Sequence, residues 1–461
     1  MKNVYRKDEM AIRYSPPAVK LFAAGGIISL LLILLLIIKF FVQSINSRIN
    51  YYYFILIENL ITKFIHISYI FIPIVIFMSV ILYILTSDET RICSVIKRYL
   101  FISSYGNPLS FQEGEILPSI SVSKLKHRRF KITITAENVS VDALVKLAPV
   151  ISSSLSGRYQ NFAVIRTDTD LAMNSVSYII EDVFVDKSLV VNNVIEFKCN
   201  RTRIQINKDT FINLKSSGSM LVAGKTRSGK STGVIAILTQ VLMQGRDKYG
   251  SEVVIIDPKK AELSNLYHTV TLDDDGEARE ILEVLRNYIL TMRKRQRVLN
   301  KLSDKKGDVV KWFKAKMNPS FVFIDEYVAL RSLLPKKASK ERPDYCLDEF
   351  DSLVKQIVTQ GASAGCFMII SIAQASVNSG LPSVINEAMS TRLLFRPTIE
   401  EGRFLWPSDM LSCLPQRTFK PGDAWLSSTD GKHDAVSFVH FPVMNYPVYA
   451  ELNRLLHEYY N

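Results

Sequence analysis

The clearest chemical spacing in the chain lies at 220–232, MLVAGKTRSGKST. An apolar run from Met220 to Ala223 meets Gly224, and Gly229, Lys230 and Ser231 complete the pattern G-x-x-x-x-G-K-[ST]. In such a stretch a buried strand delivers a turn whose backbone N–H groups, with the N-terminus of the following helix, enclose a phosphate. Gly224, Lys225, Thr226, Arg227, Ser228, Gly229, Lys230, Ser231 and Thr232 are therefore the expected nucleotide-binding residues. Lys230 is expected to reach the β- and γ-phosphates of ATP, and Ser231 to ligate Mg²⁺. Further along, FVFIDEY at 321–327 is an apolar run that ends in two carboxylates. Asp325 at the strand tip suits a Mg²⁺ held through water, and Glu326 suits the activation of the water that attacks the γ-phosphate. The two motifs together specify hydrolysis rather than binding alone. IIDPKKAEL at 255–263 is a third strand end; Pro258 stops the strand at the edge where ligands sit in open α/β sheets, which brings Asp257 and Lys259 towards the nucleotide.

These residues need a sheet to hold them. Short, nearly continuous apolar runs at 253–256, 321–324, 366–372 and 393–395 alternate with helical stretches at 277–302 and 347–360. That alternation reads as a parallel sheet covered on both faces. The C-terminal end turns antiparallel, with runs at 423–427 and 436–441, and closes with a helix at 448–459. Ahead of this motor, 130–135 alternates as a strand, 141–154 reads as a helix, and 162–166, 176–184 and 194–199 are strand candidates, which together make a small α+β unit.

Net charge is +13, but residues 1–131 hold 16 Lys and Arg against 7 Asp and Glu, leaving 41 against 37 for the rest. The excess lies beside two uncharged apolar runs, 21–38 and 64–87, each long enough to span a bilayer as a helix. Small residues precede the Leu-rich part of the first run rather than follow it, which argues against a cleaved leader. Basic residues before the first run and after the second place both ends in the cytoplasm of a bacterial cell, with the bulk of the chain inside. The stretch after the second run is rich in Gly, Pro and Ser and reads as a linker that ends in a basic knot, Lys124 to Lys131. That knot suits nucleic-acid phosphates, a lipid surface or a solvated face equally, and with the helical run Arg293, Lys294, Arg295 and Arg297 it is the candidate source of contacts to nucleic-acid phosphates. Five well-separated cysteines show no metal-ligand spacing and fit a reducing compartment. The expected organisation is a tail at 1–18, two transmembrane helices within 19–90, a linker at 91–126, an α+β domain at 127–204 and the motor at 205–461.

The set VAGKTRSGKS, IDPKKAEL, FIDEY, GASAGCFMIISIAQAS, STRLLF and PGDAWL, in this order, resembles the motor domain of FtsK/SpoIIIE-type DNA translocases. The resemblance covers roughly residues 205–445. With two spans and one motor, it is closest to the compact coupling proteins of Gram-positive conjugative elements (TcpA-like). It implies a P-loop NTPase of RecA-like fold, ATP and Mg²⁺ as cofactors, a homo-hexameric ring at the cell membrane, DNA as cargo, and relaxase and mating-channel proteins as partners. It also implies that Gln374 takes the place of the polar sensor of the γ-phosphate, and that Arg392 matches an arginine of the following strand. The sensor segment reads Ala373-Gln374-Ala375-Ser376 where the family usually has Thr-Gln-Arg-Pro, and Ala362 stands where many members have arginine. The arginine that serves a neighbour's site is thus left as Arg392, Arg396 or Arg403, or is missing. A secretion ATPase that moves protein, a chromosome-segregation translocase and a scaffold that leaves Glu326 unused are the competing functions.

Overall fold

The computed structural model describes residues 87–461 apart from 102–107, 113–114, 127, 186, 377–379, 413 and 415–417, with only isolated positions before 87. The two expected spans, the N-terminal tail and His127 of the basic knot lie outside the described residues, isolated positions of the spans excepted. Among the described residues no helix is long and apolar enough to cross a membrane. The chain divides into two compact units, Met1–Val183 and Phe184–Asn461.

The described part of the first unit runs α1 (Asp88–Phe101), β1 (Ile120–Lys124), β2 (Phe130–Thr135), α2 (Val141–Val145), α3 (Ala148–Ser154), β3 (Phe162–Thr169) and β4 (Ser175–Asp182). Its strands form one antiparallel sheet in the order β1-β2-β4-β3. The stretch expected as a linker therefore carries a helix and a strand. In α1, Ile92, Ile96 and Leu100 recur every fourth residue and are buried, a core stripe between charged residues that resembles a membrane flank in sequence. The expected single helix at 141–154 is two: Leu147 N-caps α3 and Pro149 occupies its first turn, where a proline closes no helical bond.

The second unit begins with β5 (Val190–Val191), the hairpin β6 (Arg203–Gln205) and β7 (Phe211–Asn213), and β8 (Met220–Gly224). It continues through α4 (Lys230–Leu242), β9 (Val253–Ile256), β10 (Thr269–Val270), α5 (Arg279–Lys306), β11 (Ser320–Ile324), α6 (Tyr327–Leu333), α7 (Leu347–Gln360) and β12 (Cys366–Ile372). The last part is α8 (Ser383–Ala388), β13 (Thr391–Phe395), α9 (Ile399–Leu405), α10 (Ser408–Ser412), β14 (Asp423–Ser428), β15 (His433–His440), β16 (Val443–Met444) and α11 (Val448–Tyr460). Residues 184–204, expected in the smaller domain, belong here: β5 pairs in parallel with β16, and 194–199, expected as a strand, holds a short 3-10 turn at Val194–Glu196.

The main sheet has eight strands in the order β10-β9-β11-β12-β8-β13-β14-β15. The pairs from β10 to β13 are parallel, and β14 and β15 are antiparallel additions. β8, β9, β11 and β12 are buried at every position, as strands covered on both faces must be. Their alternation sorts the core: Met220 and Val222 face α4 and α11, while Leu221 and Ala223 face α5 and α7. Because β8, β12 and β11 are adjacent and parallel, their carboxyl ends open on one edge, and the phosphate loop, Asp325, Glu326 and Gln374 are delivered there.

Candidate nucleotide site

Gly229 is the N-cap of α4 and sits at φ 92, and a β-carbon there would come within 2.5 Å of the Gly422 nitrogen. Only glycine meets both demands, so the phosphate loop turns tightly and is closed from above by the Pro421-Gly422 turn. The Gly422 N–H donates to the Ser228 carbonyl at 2.9 Å. Lys230, Ser231 and Thr232 form the first turn of α4, whose N–H groups have no partner within the helix and face the edge where a phosphate would lie. Lys225 points out of the loop, with its Nζ 4.0 Å from the buried Glu401 carboxylate.

β11 ends at Ile324, and Asp325 and Glu326 follow as expected. Asp325 is half-buried beside Ser371 of β12, and its buried Oδ1 has no hydrogen-bond partner. Burial pushes its carboxyl above the ordinary range, against the pull of the Lys230 ammonium. A buried carboxylate oxygen with no partner is what a bound cation would satisfy, so Asp325 and Ser231 fit Mg²⁺. Glu326 starts α6 in the left-handed region at φ 52 and ψ 53, a conformation that costs a non-glycine residue about 1–2 kcal/mol. The bend turns its carboxylate back over the phosphate loop: Oε1 lies 3.4 Å from Lys230 Nζ and 3.5 Å from Lys259 Nζ.

Lys259 reaches that point because Asp257, fully buried, accepts from the Lys259 N–H at 3.1 Å and from the Ala261 N–H at 2.8 Å. Asp257 thus shapes the turn and Lys259 faces the site, a division of labour that Ile255-Ile-Asp-Pro-Lys leaves open in sequence. Gln374 stands exposed just beyond β12, the strand between β8 and β11, so the topology puts it between the phosphate loop and Glu326.

The three arginines separate. Arg392 lies near the amino end of β13, with its guanidinium half-buried and donating to the Asn386 carbonyl at 3.1 Å. Burial lowers its affinity for a proton, and its position is remote from the nucleotide edge. Arg396 follows the carboxyl end of β13, exposed at φ 46, and Arg403 is exposed on α9. Ala362 lies in the turn that precedes β12, at the opposite edge of the sheet. Of the cations expected to meet DNA, Arg293, Lys294 and Arg297 are exposed on α5, but Arg295 is fully buried. Its guanidinium donates to the carbonyls of Ala364 at 2.9 Å and Asn318 at 2.6 Å, with Asp247 at 3.6 Å. It is a structural staple between the segments that lead into β11 and β12.

Sequence reasoning marked Gly422 and Asp423 only within PGDAWL, did not mark His440, and did not place any of them at the phosphate loop. Gly422, Asp423 and His440 lie far from 220–232 in the chain, and only the strand order β8-β13-β14-β15 brings them there.

Residues 186–386 match the family model described as the FtsK/SpoIIIE family. The chain is 32% identical over 152 residues to the Ftsk domain-containing protein YdcQ of Bacillus subtilis (strain 168), covering 33% of this chain and 28% of that protein. It is 23% identical over 326 residues to the DNA translocase FtsK of Staphylococcus aureus (strain Mu50), covering 64% of this chain and 37% of the relative. The chain thus spans 28% and 37% of the length of these two relatives. Among solved structures, the monomer form of the pCW3 conjugation coupling protein TcpA with ATPγS aligns with a TM-score of 0.48 at 15% identity, covering 74% of this chain and 93% of that one.

Proposed function

We propose that this protein, whose residues 186–386 match the FtsK/SpoIIIE family model, is a membrane-anchored ATPase that drives DNA towards a transfer channel in conjugation. The observation that carries the hydrolytic part is the position of Glu326, held 3.4 Å from Lys230 at the edge where the phosphate loop opens. When ATP enters, the Lys230 ammonium turns to the phosphates and Glu326 keeps Lys259 as its neighbour. Glu326 then takes the proton of the attacking water, and Gln374 bonds that water or the γ-phosphate oxygen. Mg²⁺, when bound at Ser231 and Asp325, neutralises phosphate charge.

DNA as cargo is supported by relatives named as DNA translocases and by the exposed cations of α5. Arg293, Arg297, Lys301 and Lys305 recur every fourth residue, a stripe along one helix face, with Lys294 beside it. The finer reading, a homo-hexameric ring that works with relaxase and mating-channel proteins, rests on the sequence pattern of two apolar runs ahead of a single motor. The same pattern supports a multi-pass bacterial membrane protein with both termini cytoplasmic. Protease treatment of intact cells should leave the region around Asn461 uncut, and cleavage there would reverse the topology.

The test of the cargo is ATP turnover by the full-length protein in detergent, with plasmid or single-stranded DNA added and ring assembly checked in parallel. DNA should stimulate turnover with little sequence preference, and its affinity should fall steeply as salt rises because neutralised phosphates release counterions. The triple change R293Q/K294Q/R297Q should lower the slope of log affinity against log salt by about two to three. A protein that forms rings yet responds to neither DNA would instead fit a secretion ATPase, and a DNA response tied to one sequence would fit a chromosome-segregation translocase.

A further inference from the structure

The phosphate loop is held in shape by a part of the chain that neither motif contains. Gly422 donates its N–H to the Ser228 carbonyl at 2.9 Å, and its nitrogen lies where a side chain on Gly229 would have to go. Gly422 itself sits at φ 89, a left-handed form open to glycine, and its place against the loop is fixed by an external hold. That hold comes from Asp423, the first residue of β14, whose side chain is 8% exposed. One carboxylate oxygen accepts from the Lys420 N–H at 2.6 Å and pins the turn Lys420-Pro421-Gly422 from below. The other lies 2.5 Å from His440 Nδ1. His440 is the residue directly opposite Asp423 in the β14–β15 ladder, and its imidazole edge lies against the Gly422 α-carbon, where a β-carbon would meet Cε1 at 3.4 Å. The backbone continues the clamp, because the Phe441 N–H donates to the Gly422 carbonyl at 2.8 Å and the Arg396 N–H to the Asp423 carbonyl at 2.9 Å.

We propose that Asp423 and His440 are positioning residues for nucleotide binding: acting through Gly422, they hold the Ser228 carbonyl and keep the phosphate loop in its anion-binding form before ATP arrives. Neither side chain touches the reacting atoms. The physical reason for such a device is that a loop of small polar residues loses conformational freedom when it closes on a phosphate. A loop already fixed by the hairpin binds without that cost. Asp423 suits the task because a buried carboxylate that accepts two hydrogen bonds has one geometry available, and His440 suits it because the cross-strand register fixes its ring.

The inference rests on the reading of the site as one for ATP, so the experiment separates the two. Binding of ADP with Mg²⁺ is measured by calorimetry on the full-length protein, together with KM and kcat for ATP. Wild-type protein that binds no ADP would overturn the ATP reading itself. With wild-type binding present, D423A should weaken ADP binding and raise KM by about tenfold, the worth of a charge-assisted hydrogen bond, while kcat at saturating ATP changes less than threefold. D423N, whose amide keeps an acceptor for the Lys420 N–H and offers a donor to the imidazole, should recover most of the loss. Should D423A fail to fold, H440A serves, with a smaller rise in KM expected and recovery by H440Q. Unchanged ADP affinity in folded D423A or H440A overturns the proposal. So does a fall in kcat equal to the rise in KM without recovery in the conservative variants.

Discussion

Glu326→Gln should bind ATP and hydrolyse it about 100- to 10,000-fold more slowly than the wild type, the range for loss of a positioned general base. Gln keeps the size and the left-handed backbone of Glu326, so the start of α6 and the packing of Tyr327 and Leu330 beneath it should survive. What goes is the proton acceptor. The charge partnership with Lys230 and Lys259 also goes, and it leaves both ammonium groups free for phosphate, so ATP affinity should hold or rise. Single-turnover hydrolysis with purified protein measures this directly, and wild-type turnover in Glu326→Gln would remove Glu326 from the mechanism.

Lys230→Ala should fail at an earlier step. The Lys230 side chain is 9% exposed and lies at the Glu326 carboxylate, whereas the other two cations of the phosphate loop, Lys225 at 61% exposure and Arg227, are exposed. ATP affinity should fall about 10- to 100-fold for the lost charged hydrogen bonds. The catalytic rate should fall a further 100- to 1,000-fold, because the same ammonium stabilises charge that develops on the leaving phosphate. A second effect separates this variant from Glu326→Gln. The Asp325 carboxyl, already pushed up by burial, loses the cation that opposes that push. Its ionised form becomes harder to reach, so activity that remains should move to higher pH. Equal ATP affinity in Lys230→Ala and wild type, measured by calorimetry, would contradict the assigned role.

Most of the site can be read from the sequence because its parts are local. A buried strand, a glycine-rich turn and a helix lie within 220–232, and an apolar run ending in two carboxylates needs only its own neighbours to be recognised. Arg295, expected among the cations that meet DNA, is instead buried, although its spacing was readable. It continues Ile281, Leu285, Tyr288 and Met292 at helical spacing, with Leu299 after it, so the period marks it as inward despite its charge. The surrounding Arg293, Lys294 and Arg297 mask that period. Other features were not available locally. The assignment of 184–204 to the motor depends on β5, two residues long, pairing with β16 near the other end of the chain. The contact of Asp423 with His440 depends on a hairpin register that shifts between Leu426 and Ser428. The strained backbone of Glu326 follows from where α6 must pack, which the order Asp-Glu-Tyr does not disclose.

The Arg295 staple makes one stiff body of parts that would otherwise slide. Its guanidinium grips the carbonyls just ahead of β11 and β12, the two strands whose opposite tips carry Asp325, Glu326 and Gln374. β11 and β12 pair in parallel over five residues, about 17 Å of continuous ladder between that amino edge and the nucleotide edge. One buried guanidinium thus ties the helix that carries the exposed cations to the amino ends of the two strands whose carboxyl tips hold Asp325, Glu326 and Gln374.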